Sequence, residues 1–301
     1  MKTETLSAYA KINLVLAVTG KAENGYHTVE TVMQAVTLSD TVTVTAITRT
    51  AETAETTKIS LTCSEPSLPC DASNLAYRAA ETFFRAVPAF SASVSIDIQK
   101  KIPLAGGMAG GSTDAAAVLL ALNRIAGEPL SRETLLSLGA SLGADVPFCI
   151  LADSGEYAAL GTHFGERVTP VSAIPDCTLV IASSGEAVST PWAYGQVDCL
   201  PADREGSSEE MLKALRNGNL TEVLSSLYNR FEDAVLPKRP LAAGQMKILR
   251  DAGADAVLMS GSGPTMIGFF AGPGRASRAE RACAALEGTG YGNGWLCRPK
   301  R

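Results

Sequence analysis

The segment that most constrains this chain is "KKIPLAGGMAGGSTDAAAVLLAL", residues 100–122. The alternating pattern "SVSIDIQ" before it predicts a strand, and the apolar run within it predicts a helix over residues 111–126. The glycines between them allow a ligand to approach the backbone closely. Because a helix start has free N–H groups and a positive dipole end, the segment predicts a phosphate-binding loop. The alternative is a glycine-rich connector without a ligand.

Two common phosphate loops do not fit this segment. A Walker A loop needs a lysine directly after its last glycine, and none follows here. A dinucleotide fingerprint would have to use Ala105, Gly107 and Gly110, but no second parallel strand ending in an acidic residue follows the helix. The sequence therefore indicates a phosphate loop of another kind, and it makes an NAD-binding enzyme a distant alternative.

Two charged residues stand in apolar surroundings and would compensate each other if they met. In "AYAKINLVLAV" the strand alternation puts Lys11 and Asn13 on one face of an apolar run. In "SLGADVPF" a carboxylate, Asp145, would be costly to bury without a cation or hydrogen-bond donors. We therefore expect Lys11 and Asp145 to be neighbours at one site. The alternatives are a lysine that reaches solvent at a strand end and an aspartate that caps a turn.

Two further turns carry groups suited to a ligand. In "MSGSGPTMIGFF" residues 260–264 separate two apolar strands, which predicts either a plain hairpin or a second backbone-donor loop facing the first. In "NGYHT" the Asn-Gly pair predicts a hairpin, beside which Tyr26 and His27 offer an aromatic face and a ring nitrogen. His163, in "GTHFGE", receives no role.

The remaining pattern predicts a mixed α+β chain. One helix is expected to begin after Asp71, Ser73 or Asn74, and another to run from Ser131 to the glycine of "SLGADVP". Further strands and helices are predicted in "TVTVTAI", "CTLVIAS", "AVLMSGSGPTMIGFF", "EEMLKALRNG", "RPLAAGQMKILRDAG" and "RASRAERACAALEG". Residues 184–207, rich in Ser, Gly, Pro and Asp, are the loosest stretch, which could hold a mobile loop, and the sequence leaves their order and motion open. Since no regular βαβ order appears, an α+β fold is expected.

Composition excludes several classes of protein. The formal net charge of the 301 residues is -5, which argues against a protein that mainly binds a nucleic-acid backbone. Seven cysteines without a C-x-x-C pair, and only two histidines, indicate neither a disulfide framework nor a transition-metal site. The sequence shows no secretion signal and no apolar run of the ~18 residues that span a bilayer. We therefore expect a soluble, cytoplasmic protein without a membrane or nucleic-acid partner.

Three segments together resemble the signature motifs of the GHMP kinase superfamily: "AYAKINLVLAVTGKAENGYHTVETVMQAVTLSD", "PLAGGMAGGSTDAAAVLLALN" and "MSGSGPTMIGFF". "GADVPF" falls in its expected place between the second and the third. The K-I-N-L and G-Y-H parts of the first motif are similar to the branch that phosphorylates 4-diphosphocytidyl-2-C-methyl-D-erythritol in the non-mevalonate isoprenoid pathway. The resemblance covers essentially the whole chain in order and spacing.

The resemblance implies two α+β domains. The first, over residues 1–163, would be like domain 2 of ribosomal protein S5, and the second, over 164–301, ferredoxin-like, with a last strand that could return to the first domain. ATP and the small-molecule substrate would meet in the cleft between them. The γ-phosphoryl group of ATP would pass to the 2-hydroxyl of the methylerythritol, with Mg²⁺ as cofactor. A monomer or weak homodimer is expected.

The resemblance also assigns residues by motif. Asp145 would be the catalytic aspartate and Lys11 its charged partner. Asn13 would lie near the acceptor, while Tyr26, His27 and Tyr194 would hold the cytosine ring. The ATP phosphate loop would consist of Pro103, Leu104, Ala105, Gly106, Gly107, Met108, Ala109, Gly110, Gly111, Ser112 and Thr113.

This sequence departs from the usual phosphate motif of these kinases at a few positions. Relatives commonly read P-x-G-G-G-L-G-G-G-S-S-D, whereas Ala105, Met108, Ala109 and Thr113 stand here. Because alanine restricts the backbone where glycine does not, φ is expected to be negative at Ala105 and Ala109. The backbone donors themselves are unaffected. The alternatives are another GHMP kinase, of the homoserine or mevalonate type, and a non-catalytic S5-like RNA-binding module.

Overall fold

The computed structural model describes residues 1–48, 58–201 and 208–301. These residues form two compact units, neither of which is continuous in sequence. The first unit comprises residues 1–10, 39–102 and 109–154, and the second comprises 11–38, 103–108 and 155–301. Two long strands, β1 (Lys2–Lys21) and β2 (His27–Thr48), contribute to both units.

The rest of the first unit consists of two strands and four helices: β3 (Ile59–Cys63), α1 (Leu75–Ala86), β4 (Ala92–Gln99), α2 (Gly110–Ile125), α3 (Arg132–Leu142) and α4 (Val146–Asp153). β4 pairs antiparallel with Thr41–Thr48 of β2 and parallel with β3. Alternation explains these strands, because Val94, Ile96 and Ile98 point into a core that includes Phe83 and Leu119.

Local end signals set the helices of the first unit as predicted. Asn74 is the N-cap of α1, and its side chain accepts a hydrogen bond from the backbone N–H of Ala76 at 2.9 Å. Ser131 caps α3 in the same way, and Gly143 ends it. Helix α4, whose first turn contains Pro147, was not predicted from the sequence. A proline suits that position because the first-turn N–H groups have no partner within the helix.

The second unit contains the remaining elements: β5 (Ala158–Thr162), β6 (Arg167–Pro170), β7 (Thr178–Ser183), α5 (Thr190–Val197), α6 (Ser208–Asn217), α7 (Leu220–Ser225), β8 (Tyr228–Asn229), α8 (Phe231–Val235), a 3₁₀ helix (Leu236–Lys238), α9 (Pro240–Asp251), β9 (Ala256–Met259), β10 (Met266–Phe270), α10 (Arg275–Thr289) and β11 (Asn293–Cys297). β7, β9, β10 and β11 form an antiparallel sheet in the order β11-β7-β10-β9, against which α9 and α10 pack. This β-α-β-β-α-β arrangement is ferredoxin-like, as expected.

The same unit also includes the parts of β1 and β2 that carry the first sequence motif. Thr31–Gln34 of β2 pairs with β5, and Val15 of β1 pairs with Tyr228 of β8. After β11 the chain bonds to β2, because the backbone N–H of Lys300 donates to the carbonyl of Ala35 at 2.9 Å. The predicted boundary between residues 163 and 164 lies shortly after residue 155, where the chain re-enters this unit, and it stays a prediction.

The stretch of residues 184–207, which the sequence left open as a place for a mobile loop, contains a helix. Residues 190–197 form α5, with Ser189 at its N-cap position and a proline in its first turn. The Ser-Thr-Pro sequence that suggested a loop is also a helix-start signal, and α5 is held by contacts with α8 that a local pattern does not reveal. Residues 202–207 lie outside the described part of the chain. Within the described part, no helix is both long and apolar enough to cross a membrane.

Candidate active site

The glycine-rich turn runs through left-handed backbone at two alanines. The φ angles are 51° at Ala105, 72° at Gly107 and 59° at Ala109. The prediction of negative φ at the two alanines is therefore wrong. The reason is that the tight turn and the entry into α2 fix the backbone there, and alanine accepts a left-handed conformation at a cost of about 1–2 kcal/mol.

Within the second unit, the turn at residues 260–265 faces the glycine turn. A Cβ added to Gly107 would lie 2.2 Å from the carbonyl oxygen of Ser260, so only glycine allows this approach. The hydroxyl of Ser260 donates to the carbonyl of Gly107 at 3.1 Å, and Thr265 packs against Gly106. β9 and β10 flank this turn as an antiparallel pair. The segment is thus both the predicted hairpin and a loop that faces the first.

In the first unit, the amino end of α2 has the features of an anion site. Ala109 is its N-cap residue and makes no side-chain cap hydrogen bond, and the first turn carries no acidic residue. Gly111 is exposed, and a Cβ added to it would find nothing within 4 Å. Ser112 is partly exposed and Thr113 is buried. The backbone N–H groups at this end, together with the helix dipole, can bind an anion such as a phosphate.

A buried ion cluster lies beneath this helix start, also within the first unit. The ammonium of Lys100 binds the carboxylates of Asp40 and Asp114, the latter at 2.7 Å. Asp40 also accepts hydrogen bonds from the backbone N–H groups of Lys101 and Ile102. The cluster therefore joins the end of β4 to β2 and to the first turns of α2, at the point where the chain enters the glycine turn.

Within this cluster, burial disfavours the ionised form of the Asp114 carboxyl group. Burial raises its pKa from the usual 3.8 to about 7, against the opposing charge of Lys100, and the nearby charge of Asp40 adds to the rise. Its Oδ1 atom is buried and has no hydrogen-bond partner among the described residues. A carboxyl group in these surroundings gains by holding a proton.

Asp145 lies in the first unit, two residues after Gly143, which is beside the amino end of α2. It occupies the N-cap position of α4, it is half-buried, and its side chain makes no cap hydrogen bond. The reading of Asp145 as a simple turn cap is therefore not supported. Gly143, two residues earlier, lies beside α2, since a Cβ added to it would be 3.9 Å from the hydroxyl oxygen of Ser112. A carboxylate at this place can accept a proton next to the anion site.

Lys11 and Asn13 belong to a buried chain of hydrogen bonds in the second unit. The Lys11 ammonium donates to Oδ1 of Asn13 at 2.8 Å, and Nδ2 of Asn13 donates to Oγ1 of Thr31 at 2.8 Å. Lys11 is only 4% exposed, which excludes the alternative of a lysine that reaches solvent. Its backbone N–H donates to the carbonyl of Met108 at 3.2 Å, so β1 also holds the end of the glycine turn.

Two of the three predicted ring-binding residues contact each other. The rings of His27 and Tyr194 are stacked, with centroids 4.5 Å apart and an interplanar angle of 15°. Nε2 of His27 lies 2.7 Å from Oδ1 of Asp198. Tyr26 is 69% exposed, and its ring contacts Phe164 instead. The second unit thus presents a group of aromatic rings with a charged rim, suited to a planar ligand.

Asp198 and the cluster around Lys100 were not predicted from the sequence. Asp198, the C-cap of α5, follows Tyr194 by four residues, a spacing that becomes a signal only when the segment is known to be a helix, and α5 was not predicted. The pairing of Lys100 with Asp40 joins residues 60 positions apart, and no local pattern announces it.

Comparison with known protein families matches both halves of the chain. Residues 74–153 match the N-terminal domain of the GHMP kinases, and residues 211–287 match the GHMP kinase C-terminal domain.

Curated relatives cover most of the chain. A 4-diphosphocytidyl-2-C-methyl-D-erythritol kinase of Clostridium kluyveri is 38% identical over 88% of this chain and 90% of its own length. A kinase of the same name from Alkaliphilus metalliredigens is 36% identical over 93% of this chain and 92% of its own.

Solved structures of kinases also resemble this chain. The crystal structure of a 4-(cytidine 5'-diphospho)-2C-methyl-D-erythritol kinase is 31% identical, covers 99% of this chain and all of its own, and has a TM-score of 0.78. The homoserine kinase of Cytophaga hutchinsonii, with 16% identity and a TM-score of 0.73 over 100% of this chain and 96% of its own, shares the fold.

Proposed function

Because the chain belongs to the GHMP kinases and, within them, to the 4-diphosphocytidyl-2-C-methyl-D-erythritol kinases, we propose that it transfers the γ-phosphoryl group of ATP to the 2-hydroxyl of that substrate. The products are ADP and the 2-phosphate. The observation that carries this proposal is the uncapped amino end of α2, entered from a glycine turn, with Asp145 in the same unit.

The phosphates of ATP bind to backbone N–H groups of residues 103–113. Phosphoryl transfer through a loose transition state needs positioning and charge stabilisation more than covalent chemistry, and fixed backbone donors supply both. The backbone is left-handed at Ala105, Gly107 and Ala109. Backbone of this kind can direct neighbouring N–H groups into a concave site for an anion. The contact between Gly107 and Ser260 keeps this turn in place without a side chain in the way.

Asp145 acts as the general base. It orients the acceptor hydroxyl and takes its proton as the bond to phosphorus forms. Its place at the start of α4, in the same unit as the amino end of α2, supports this role.

Lys11 and Asn13 serve the acceptor side of the reaction. The ammonium of Lys11 is buried and oriented by Oδ1 of Asn13, which in turn is fixed by Thr31. A fixed buried cation keeps a nearby carboxylate ionised and balances developing negative charge. The pairing of Lys11 with Asp145 stays a prediction, and its test is the kinetic coupling between substitutions at the two positions.

The residues present fit a Mg²⁺ ion that is bound mainly through the substrate. Among the described residues, no group of three or more His, Cys, Asp and Glu side chains is placed to hold a metal ion. Mg²⁺ commonly takes one or two protein oxygens and binds otherwise to phosphates and water. The partly exposed hydroxyl of Ser112, or that of Thr113 beside it, would supply such an oxygen. When bound, the ion neutralises part of the phosphate charge.

The cytidyl end of the substrate binds in the second unit, at Tyr26, His27 and Tyr194. His27 and Tyr194 form one stacked pair, and Tyr26, the residue before His27, is exposed and contacts Phe164. Aromatic faces of this kind attract a flat base, and the ring nitrogen of His27 adds a polar contact.

We also propose that the boundary between the two family domains lies near residues 163 and 164. This position falls between the matched segments, which end at residue 153 and begin at residue 211.

A coupled assay tests the proposal directly. The purified protein, ATP, Mg²⁺ and 4-diphosphocytidyl-2-C-methyl-D-erythritol should release ADP and yield a phosphorylated product visible by ³¹P NMR. Homoserine and mevalonate serve as comparison acceptors, because solved structures of kinases for both share the fold. Turnover that prefers either of these acceptors, or that ignores the cytidyl group, would refute the assignment.

A further inference from the structure

A charged cluster surrounds His27 in the second unit, and the proposed function does not yet use it. We define the histidine cluster as Lys21, His27, Tyr194 and Asp198. Lys21 ends β1, His27 begins β2, and Tyr194 and Asp198 lie one helical turn apart on α5 and its C-cap. Three elements thus converge on one imidazole ring.

The carboxylate of Asp198 fixes which nitrogen of His27 carries hydrogen. Its Oδ2 accepts from the ammonium of Lys21 at 2.7 Å, and its Oδ1 lies 2.7 Å from Nε2 of His27. The hydrogen bonds from Lys21 and then from His27 hold the pKa of the Asp198 carboxyl below its usual range. An ionised carboxylate can only accept a hydrogen bond. Nε2 of His27 must therefore be the donor.

The ring is also held in orientation. Tyr194 stacks on one face of His27 at 4.5 Å, and the ring of Tyr194 meets the buried Phe231 edge to face, with centroids 4.9 Å apart. The His27 side chain is 11% exposed. A half-turn of the imidazole about its Cβ–Cγ bond would keep the stacking but lose the hydrogen bond to Asp198, so the carboxylate decides which nitrogen faces it.

The second nitrogen of His27 remains available to a ligand. Nδ1 has no hydrogen-bond partner among the residues that the structure describes. In a neutral ring with hydrogen on Nε2, Nδ1 is an acceptor. At position 4 of a pyrimidine, cytosine carries an amino donor and uracil carries an acceptor oxygen. An acceptor placed opposite position 4 therefore favours cytosine and disfavours uracil.

We propose that Asp198 is a positioning residue that holds His27 with hydrogen on Nε2, so that Nδ1 accepts from the 4-amino group of cytosine and the site rejects 4-oxo pyrimidines. This inference rests on the proposed function, since it takes the cytidyl end of the substrate as the ligand at His27.

The hydrogen position can be measured without substrate. The chain has only two histidines, and ¹⁵N NMR of the imidazoles distinguishes the two tautomers. His163 is an internal reference, because its Nδ1, not its Nε2, lies 2.6 Å from a carboxylate oxygen of Glu166. We expect hydrogen on Nε2 in His27 and on Nδ1 in His163, with His27→Gln used to assign the signals.

Asp198→Asn should reverse the hydrogen position of His27 alone. The asparagine oxygen will face the ammonium of Lys21, which only donates, so the amide NH₂ will face Nε2 and hydrogen will move to Nδ1. Glu23→Gln is the matched control, because it also replaces an exposed carboxylate by an amide, in the turn between β1 and β2 that leads to His27. It should leave both signals unchanged.

Kinetics with two acceptors then tests the consequence for the ligand. Asp198→Asn should raise the KM for the cytidine diphosphate acceptor about 10- to 100-fold, the range expected for a hydrogen bond replaced by two facing donors. The KM for ATP should stay within about twofold. The preference over the matching uridine diphosphate acceptor should shrink or reverse, and Glu23→Gln should keep the normal ratio.

Two results would overturn the inference. One is hydrogen on Nδ1 of His27 in the unmodified protein. The other is an Asp198→Asn variant whose cytidine-to-uridine ratio equals that of the unmodified protein. Failure of the proposed function looks different, because the unmodified protein would then show no turnover with the cytidine acceptor although His27 carries hydrogen on Nε2.

Discussion

At the scale of single residues, Asp145, the proposed general base, is the side chain on which turnover should depend most directly. The Asp145→Asn substitution keeps the size and polarity of the side chain but removes its ability to accept a proton. Positioned general bases contribute about 10²–10⁴ in rate, so kcat should fall by that factor while the KM for ATP changes little. Steady-state kinetics at saturating ATP measures the effect.

Asp153→Asn is the matched control for this variant. Asp153 ends the same helix and pairs with Arg124 in a partly exposed ion pair, which contributes about 0–1 kcal/mol to stability. Its substitution should leave kcat unchanged. An Asp145→Asn enzyme with a comparable kcat would remove Asp145 from the role of base.

The left-handed alanines of the glycine turn predict a gain in stability from glycine. Ala105 and Ala109 have φ of 51° and 59°. Glycine relieves a strain of about 1–2 kcal/mol and loses roughly 0.4–1 kcal/mol through the greater freedom of the unfolded chain. Ala105→Gly or Ala109→Gly should therefore raise the free energy of unfolding by about 0.5–1 kcal/mol, measured by urea denaturation.

Ala126 provides the contrast for the two alanines. It follows α2 at φ -77°, an ordinary right-handed conformation, so Ala126→Gly should lower the free energy of unfolding by about 0.5–1 kcal/mol. Equal destabilisation of all three glycine variants would show that Ala105 and Ala109 do not have a left-handed backbone.

At the scale of elements, the junction of β2, β4 and α2 makes stability depend on pH. The pKa of Asp114 is raised from 3.8 to about 7 in the folded chain, chiefly by burial. Between these values the folded state binds more protons than the unfolded state, so the stability contributed by this group is present below pH 4 and is lost as pH rises through 7. The slope reaches at most about 1.4 kcal/mol per pH unit.

Asp114→Asn isolates that contribution, because asparagine still accepts from Lys100 but does not titrate. Relative to this variant, the unmodified protein should lose stability from pH 5 to pH 7, and the difference should become constant above pH 8. Urea denaturation at each pH gives the comparison. Parallel curves for the two proteins across this range would show that Asp114 does not hold the extra proton.

The elements themselves were largely predictable from sequence, and the reason is that their signals are local. Asn74, Ser131 and Gly143 are end signals that act within one helical turn, and each stands where it was expected. The positive φ of Ala105 was not predictable in this way. It depends on a turn held against Ser260, a residue distant in sequence, and this tertiary contact overrides the preference of alanine.

At the scale of the whole molecule, the motifs gave the family and the chemistry but not the contacts between distant residues. The pair of His27 with Asp198 joins positions 171 apart, and it was visible only once α5 had been placed. Lys11 and Asn13 were expected on one strand face, and they share a hydrogen bond. The alternation of side chains along a strand can be predicted from the sequence, whereas contacts between distant segments depend on the tertiary fold.

Nucleotide binding should stabilise the whole chain, and the glycine turn should decide by how much. A non-hydrolysable ATP analogue at 100 times its Kd should add about 2.7 kcal/mol to the free energy of unfolding, seen as a rise in Tm. Gly107→Ala should abolish that rise at the same concentration, because its Cβ would lie 2.2 Å from the carbonyl oxygen of Ser260 at φ 72° and the turn must move. Gly127→Ala, at φ 87° with nothing within 4 Å, imposes similar backbone strain without displacing the turn and should keep the full rise. If Gly107→Ala retained the rise as well, the phosphates would bind elsewhere.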